Sequence, residues 1–280
     1  MRFQSAILSN VRDGVVVTDL SGDITYWNDG AEQLFGYTGA DMIGHTPATL
    51  YESLDTAEVQ RSLQDVLVGN ETSSECSARC KDGRRIWVDM KTSIMRDTAG
   101  APAGVLAIVK DISERKRHEQ RYAKLNDCLL SFGPDPVENI NALVALCGEE
   151  LCGDLALYNR MEGDELHALG VWNAPPHFNP YGSAIGRICD EIIREGGNEV
   201  RLLVDLQETG YVDSDPAVRT LGMHSYLGRT VTFDGACVGS LCVLYDGTVQ
   251  PSEEDRKLLS IVASAIGVEE ERKRAEDALR

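Results

Sequence analysis

Eight cysteines and five histidines are the residues of this 280-residue chain best equipped for chemistry, and their spacing limits what that chemistry is. Cys76 and Cys80 are four apart on a predicted strand, on one face but roughly 13 Å apart at ~3.3 Å per residue, too far to bridge each other. Cys147 and Cys152, then Cys237 and Cys242, are five apart, and no Cys-x-x-Cys pair suggests a zinc knuckle or a dithiol motif. Reduced, mostly buried thiols are the expectation. The sequence also lacks a Gly-rich phosphate cradle, a metal-ligand pair at helical spacing and any Ser/His/Asp or Cys/His grouping. The chain is therefore expected to hold no metal and not to be an enzyme.

Composition narrows the partners. A net charge of -18 and a pI near 4.6 argue against nucleic acid, whose phosphates need a basic face. The cluster Arg115, Lys116, Arg117, Arg121 and Lys124 is interleaved with Glu114 and Glu119 and reads as helix surface. Apolar runs are too short to span a bilayer, and the opening Met-Arg-Phe-Gln-Ser lacks a signal peptide's apolar core. A soluble, cytoplasmic chain is expected, any membrane anchor belonging to a larger parent.

The elements that must position these residues are organised around one helical stretch, 112–132. It is dense in charge and free of Gly and Pro until its end, and Tyr122, Leu125, Leu129 and Phe132 repeat at three- and four-residue steps. Its tetrapeptide Glu114-Arg-Lys-Arg117 returns as Glu271-Arg-Lys-Arg274, where Ile261, Ala265, Val268, Arg272, Ala275 and Leu279 keep heptad spacing. The spacing predicts two modules, 4–111 and 133–268, with 112–132 as connector helix and 269–280 as the start of a C-terminal signalling helix. In the first, hairpin strands at 14–19 and 24–27 precede short helices capped by Asn28 and Thr38, an amphipathic helix over 55–67, and three strands at 75–81, 84–95 and 104–110. In the second, a helix from Asp135 to about Leu151 leads into strands at 155–160 and 165–172 and a Pro- and aromatic-rich loop at 173–182. A helix over 184–195, a strand at 201–205, a short helix at 215–221, a hairpin at 226–245 and a helix opened by Ser252 follow. Both modules read as α+β, an antiparallel sheet flanked by helices.

The first module resembles the PAS sensor family through Asp19-Leu-Ser-Gly-Asp-Ile-Thr-Tyr-Trp-Asn28, Ala31-Glu-Gln-Leu-Phe-Gly-Tyr37 and the closing Val109-Lys-Asp-Ile-Ser-Glu-Arg115. The resemblance implies a sheet cupped around a small cavity, used for sensing or dimerisation, with the signal leaving through the terminal helix. Where light-sensing members carry a reactive cysteine this chain reads Gly44-His-Thr-Pro-Ala-Thr-Leu50, so flavin-adduct chemistry is not expected. Haem-binding members place a histidine on the long helix, and 55–67 has none; His45 is assigned a surface or capping role, and Asn28 and Trp27 structural ones. An empty or purely structural pocket is the reading for this module.

The second module resembles the GAF family through Leu221-Gly-Met-His-Ser-Tyr-Leu-Gly228, Val238-Gly-Ser-Leu-Cys-Val-Leu-Tyr245 and Pro251-Ser-Glu-Glu-Asp255. This implies a sheet with terminal helices on one face, for dimerisation, and a pocket on the other. Asn159-Arg160 and Asp190-Glu191 only partly echo the cyclic-nucleotide signature, and the bilin-binding elements do not occur. Some GAF modules bind haem through His or Cys; the residues the resemblance points to are Cys189, His224 and His177. Haem, another small ligand and no ligand all remain open for this pocket.

Together these readings give a sensory PAS–GAF segment of a bacterial or archaeal signalling protein of the sensor histidine kinase type. It would be a homodimer through its helical connectors, sensing a small ligand or a redox or gas signal and passing it to an output domain beyond Arg280. The alternative is a ligand-free dimerisation and interaction scaffold.

Overall fold

The computed structural model describes residues 13–51 and 71–279, and the chain divides into two compact units, Met1–Glu119 and Gln120–Arg280. In the first, β1 (Gly14–Thr18) and β2 (Ile24–Trp27) form a hairpin whose turn is held by the Asp19 carboxylate, accepting from the N–H groups of Ser21 and Asp23. Asn28 caps α1 (Asp29–Phe35): its Oδ1 accepts from Ala31 N at 2.8 Å and Val15 N at 2.7 Å, so one buried amide ties the helix start to β1. α2 (Gly39–Met42) opens with the expected Thr38/Asp41 capping box, and a 3₁₀ turn spans Pro47–Leu50. β3 (Thr72–Arg79), β4 (Arg85–Arg96) and β5 (Pro102–Asp111) complete an antiparallel five-stranded sheet of order β2-β1-β5-β4-β3. Its core gathers Ile24, Trp27, Phe35, Leu50, Ile86 and Val88. The helix expected over 55–67 lies outside the described residues.

α3 (Ser113–Leu130) begins where β5 ends. Asp111 Oδ1 accepts from Ser113 N at 2.8 Å, Ser113 Oγ accepts from Trp87 N at 2.9 Å, and Arg115 and Lys116 each reach Glu75 at 2.6 Å. These bonds hold the first turn to its own sheet, and the division between units falls inside α3.

In the second unit Asp135 caps α4 (Pro136–Glu150), with Pro136 in the first helical position where a missing N–H costs nothing. Strands β6 (Leu155–Glu162), β7 (Glu165–Trp172) and β8 (Tyr181–Ser183) precede α5 (Ile188–Glu195) and β9 (Arg201–Leu203). A 3₁₀ turn at Leu206–Glu208, α6 (Tyr211–Ser214) and α7 (Pro216–Leu221) lead into the hairpin β10 (Ser225–Phe233) and β11 (Ala236–Tyr245), and α8 (Glu253–Leu279) closes the chain. The sheet is antiparallel with order β8-β7-β6-β11-β10-β9. Two expectations are corrected. The helix read over 184–195 starts only at Ile188, because Gly186 sits at φ 78 and Asp215 Oδ2 takes the Ile188 N–H. The Pro-rich stretch read as loop ends in strand β8, whose Tyr181 ring stacks on His167.

Alternation sorts the second sheet into two faces. Ala156, Tyr158, Leu227, Leu241 and Val243 pack with α4 and α8; Leu155, Leu157, Tyr226, Cys242 and Leu244 pack with α5 and α7. α8 is held by Leu258, Leu259, Val262 and Ile266, each buried and worth about 1.5–3 kcal/mol of transfer free energy. Its heptad residues Ile261, Val268 and Leu279 lie together off that buried face, 38 %, 57 % and 88 % exposed.

Candidate functional site

The α5 side of this sheet holds a polar cluster inside an apolar layer. Asn159 of β6, Cys189 of α5, Tyr226 of β10, and Ser240 and Cys242 of β11 are all more than nine-tenths buried. Strand register explains the gathering: Asn159 pairs with Ser240, Gly228 pairs with Cys242, and Ser240 and Cys242, two apart, project to one side. Gly228 leaves the space the Tyr226 ring occupies; a Cβ there would stand 2.4 Å from Tyr226 Oη. Asn159 Nδ2 donates to Cys189 Sγ at 3.3 Å and lies 3.9 Å from Cys242 Sγ, while Tyr226 Oη is 3.7 Å and Cys242 Sγ 4.0 Å from Cys189 Sγ. Hydrogen bonding from the Cys242 thiol, against the opposing effect of burial, holds Cys189 below the ordinary thiol range; the same contact, with burial, pushes Cys242 up.

Of the candidate ligands read from the sequence, only Cys189 enters this cluster. His224 and His177 are exposed; His224 serves through its backbone, its N–H donating to Tyr245 O at 2.7 Å and its carbonyl accepting from Leu206 N at 3.0 Å. His45 is likewise exposed, with its carbonyl accepting from Ile24 N. A haem ligand must present its lone pair to a space wide enough for the macrocycle. The Cys189 sulfur is instead enclosed by an amide, a phenol and a second thiol within 4.0 Å, and this donor set does not fit an axial iron ligand. Among the described residues no group of three or more His, Cys, Asp or Glu could hold a metal ion. Sequence reasoning named Asn159 only as a partial echo of a nucleotide signature and missed Cys242, Tyr226 and Ser240; the signal for the strand pair was the two-residue step from Ser240 to Cys242.

The opposite face of β6 reaches the final helix. Tyr158 and Arg160, flanking Asn159, both approach Glu270 of α8, which is fully buried. Tyr158 Oη donates to Glu270 Oε1 at 2.8 Å, and Arg160 Nε lies 3.6 Å from Oε2. Burial first, and then the Glu270 carboxylate, raise the Tyr158 pKa well above the ordinary phenol value. Asn139 Nδ2 of α4 and Arg272 both bond Glu269 Oε2 at 2.8 Å. At the other end of α8, Asp255 completes the Ser252 capping box and accepts from Arg121 of α3 at 2.7 Å.

Residues 2–112 match the sequence family described as the PAS fold. The first unit carries a PAS domain. The sensor histidine kinase TmoS of Ectopseudomonas mendocina is 29 % identical over 185 residues, covering 65 % of this chain and 19 % of that protein. That alignment is longer than the PAS domain and so extends into the second unit. The signal transduction histidine-protein kinase AtoS of Escherichia coli is 32 % identical over 120 residues, 42 % of this chain and 19 % of the relative. The chain thus spans about a fifth of the length of these relatives. Among solved structures, a PAS domain from Colwellia psychrerythraea aligns with 27 % identity and a TM-score of 0.38, covering 40 % of this chain and 97 % of that one. The PAS domain of an HTR-like protein from Haloarcula marismortui aligns with 22 % identity and a TM-score of 0.36, covering 40 % and 90 %. Among the described residues no helix is long and apolar enough to cross a membrane.

Proposed function

We propose that this chain is the sensory segment of a cytoplasmic sensor histidine kinase, a PAS domain followed by a GAF-like module, that receives a signal and hands it to an output domain through α8. It makes or breaks no bond of a substrate itself. The observation that carries this reading is the back-to-back use of one strand: Asn159 contacts Cys189 on one face of β6, and Tyr158 and Arg160 contact Glu270 of the exit helix on the other. A change under α5 that moves β6 therefore alters the bonds fixing α8. A ligand shifts such a helix only as far as its affinity differs between two helix arrangements.

Dimerisation is part of the proposal. Ile261, Val268 and Leu279 form an outward stripe along α8, and beside it an open groove of about 700 Å³ is lined by Tyr122, Val200, Ser260 and Ile261 together with the charged Glu199, Glu253, Arg256 and Lys257. A second copy of α8 is the occupant this stripe suits. A small polar ligand over the Cys189 cluster accords better with the enclosed sulfur than haem does. Light scattering at micromolar concentration tests the reading first: a dimer is required, and a strict monomer removes the conduit. Thermal shifts across nucleotides and metabolites then separate a sensor from a ligand-free scaffold, and a Soret band lost in Cys189→Ala or His224→Ala would reinstate haem.

A further inference from the structure

Cys189 and Cys242 are 53 residues apart in sequence, yet their sulfurs stand 4.0 Å apart in the core beneath α5. We propose that these two thiols are a reversible modification site, oxidised to an intramolecular disulfide by a peroxide. This concerns the chemistry of two sulfurs and holds whether or not α8 carries a signal.

Three features set this pair apart from the other buried cysteines. The sulfurs need to close by about 2 Å to reach bonding distance. α5 is short and bounded by Gly186 and Gly196, at φ 78 and 70, so it can move toward β11 as a unit with the turns at its ends absorbing the change. Asn159 Nδ2 donates to Cys189 Sγ at 3.3 Å and Tyr226 Oη lies within 3.7 Å, two polar groups placed to stabilise a thiolate on Cys189. Cys189 is also the outer member of the pair, 7 % exposed against 0 % for Cys242.

The chemistry balances. The Cys189 thiolate attacks one oxygen of hydrogen peroxide and the O–O bond breaks; the departing hydroxide takes the thiol's proton as water, leaving a sulfenic acid on Cys189. Cys242 sulfur then attacks Cys189 sulfur, the S–O bond breaks, and hydroxide leaves with the Cys242 proton as a second water. Two electrons pass from the sulfurs to the peroxide, and a dithiol such as dithiothreitol reverses the step by exchange.

The test uses the whole wild-type chain, reduced, exposed to hydrogen peroxide and mapped by mass spectrometry after alkylation. The expected product is a peptide joining Cys189 to Cys242, two hydrogens lighter than its parts and released by dithiothreitol. These two thiols should disappear together, at least about tenfold faster than Cys147, which is fully buried in the other core. Cys189→Ser and Cys242→Ser should each abolish the linked peptide, and Cys152→Ser, at an exposed site, should not. Wild-type protein in which Cys189 and Cys242 still alkylate separately after Cys152 has been oxidised, or in which either links to a different cysteine, overturns the proposal. That readout does not depend on the variants folding.

Discussion

Glu270 is a carboxylate with no exposed surface whose Oε1 depends on one phenol and whose Oε2 has no hydrogen bond among the described residues. Removing the phenol's hydroxyl strands the oxygen it satisfies. Tyr158→Phe should therefore cost about 1–3 kcal/mol, read as a lower urea midpoint with an unchanged slope. The mirror experiment is steric: Gly228→Ala drives a methyl into the Tyr226 ring and should cost about 1–3 kcal/mol while displacing the phenol from Cys189. Both tyrosines have folded pKa values raised well above the ordinary 10.0, first through burial. A raised value stabilises fully below the unfolded pKa and is lost as pH rises beyond it, so stability should decline above pH 10, visible as a falling melting temperature in an alkaline series.

At the scale of elements, α8 is set by its two ends. Its start is fixed by Asp255, which burial pushes up but which Ser252 and Arg121 bring below its ordinary 3.8. That contribution is complete above the unfolded value and is lost as pH falls through the folded one. Asp255→Asn should remove it, costing about 1–2 kcal/mol near neutrality and flattening the acid limb of the stability curve in denaturant titrations. Further along, Gly267 lets the helix approach β10 so closely that a Cβ would lie 2.6 Å from the Thr232 carbonyl oxygen. Gly267→Ala should push the helix off the sheet, and faster amide exchange along β10 and α8 is the measurement that detects it.

At the scale of the molecule, the proposed dimer depends on residues that contribute little to either unit's core. Val268→Glu alters a side chain 57 % exposed, so the fold should keep its stability to within about 0.5 kcal/mol. The dimer should nonetheless weaken by roughly tenfold or more in dissociation constant, seen by light scattering across a dilution series.

The sequence by itself determined the local structure. Asn28, Thr38, Asp135 and Ser252 are caps because their short polar side chains satisfy free N–H groups nearby in the chain, and strand alternation marked which residues share a face. Contiguous motifs also gave the PAS resemblance over 4–111, and the PAS family match covers residues 2–112. What only the tertiary structure decided is which faces meet. Cys189 was legible as a buried thiol, but Cys242, Tyr226, Ser240 and Asn159 join it through the register of β6, β11 and β10, which no spacing within one segment encodes. The same holds for Glu270: read in sequence, Glu-Glu-Glu-Arg-Lys-Arg is a solvated helix face, and the approach of α8 to Tyr158 is what buries its second carboxylate and makes the charge a structural bond. Short-range rules report what neighbours in the chain can do for one another, whereas burial and pairing are properties of surfaces brought together only when the sheet closes.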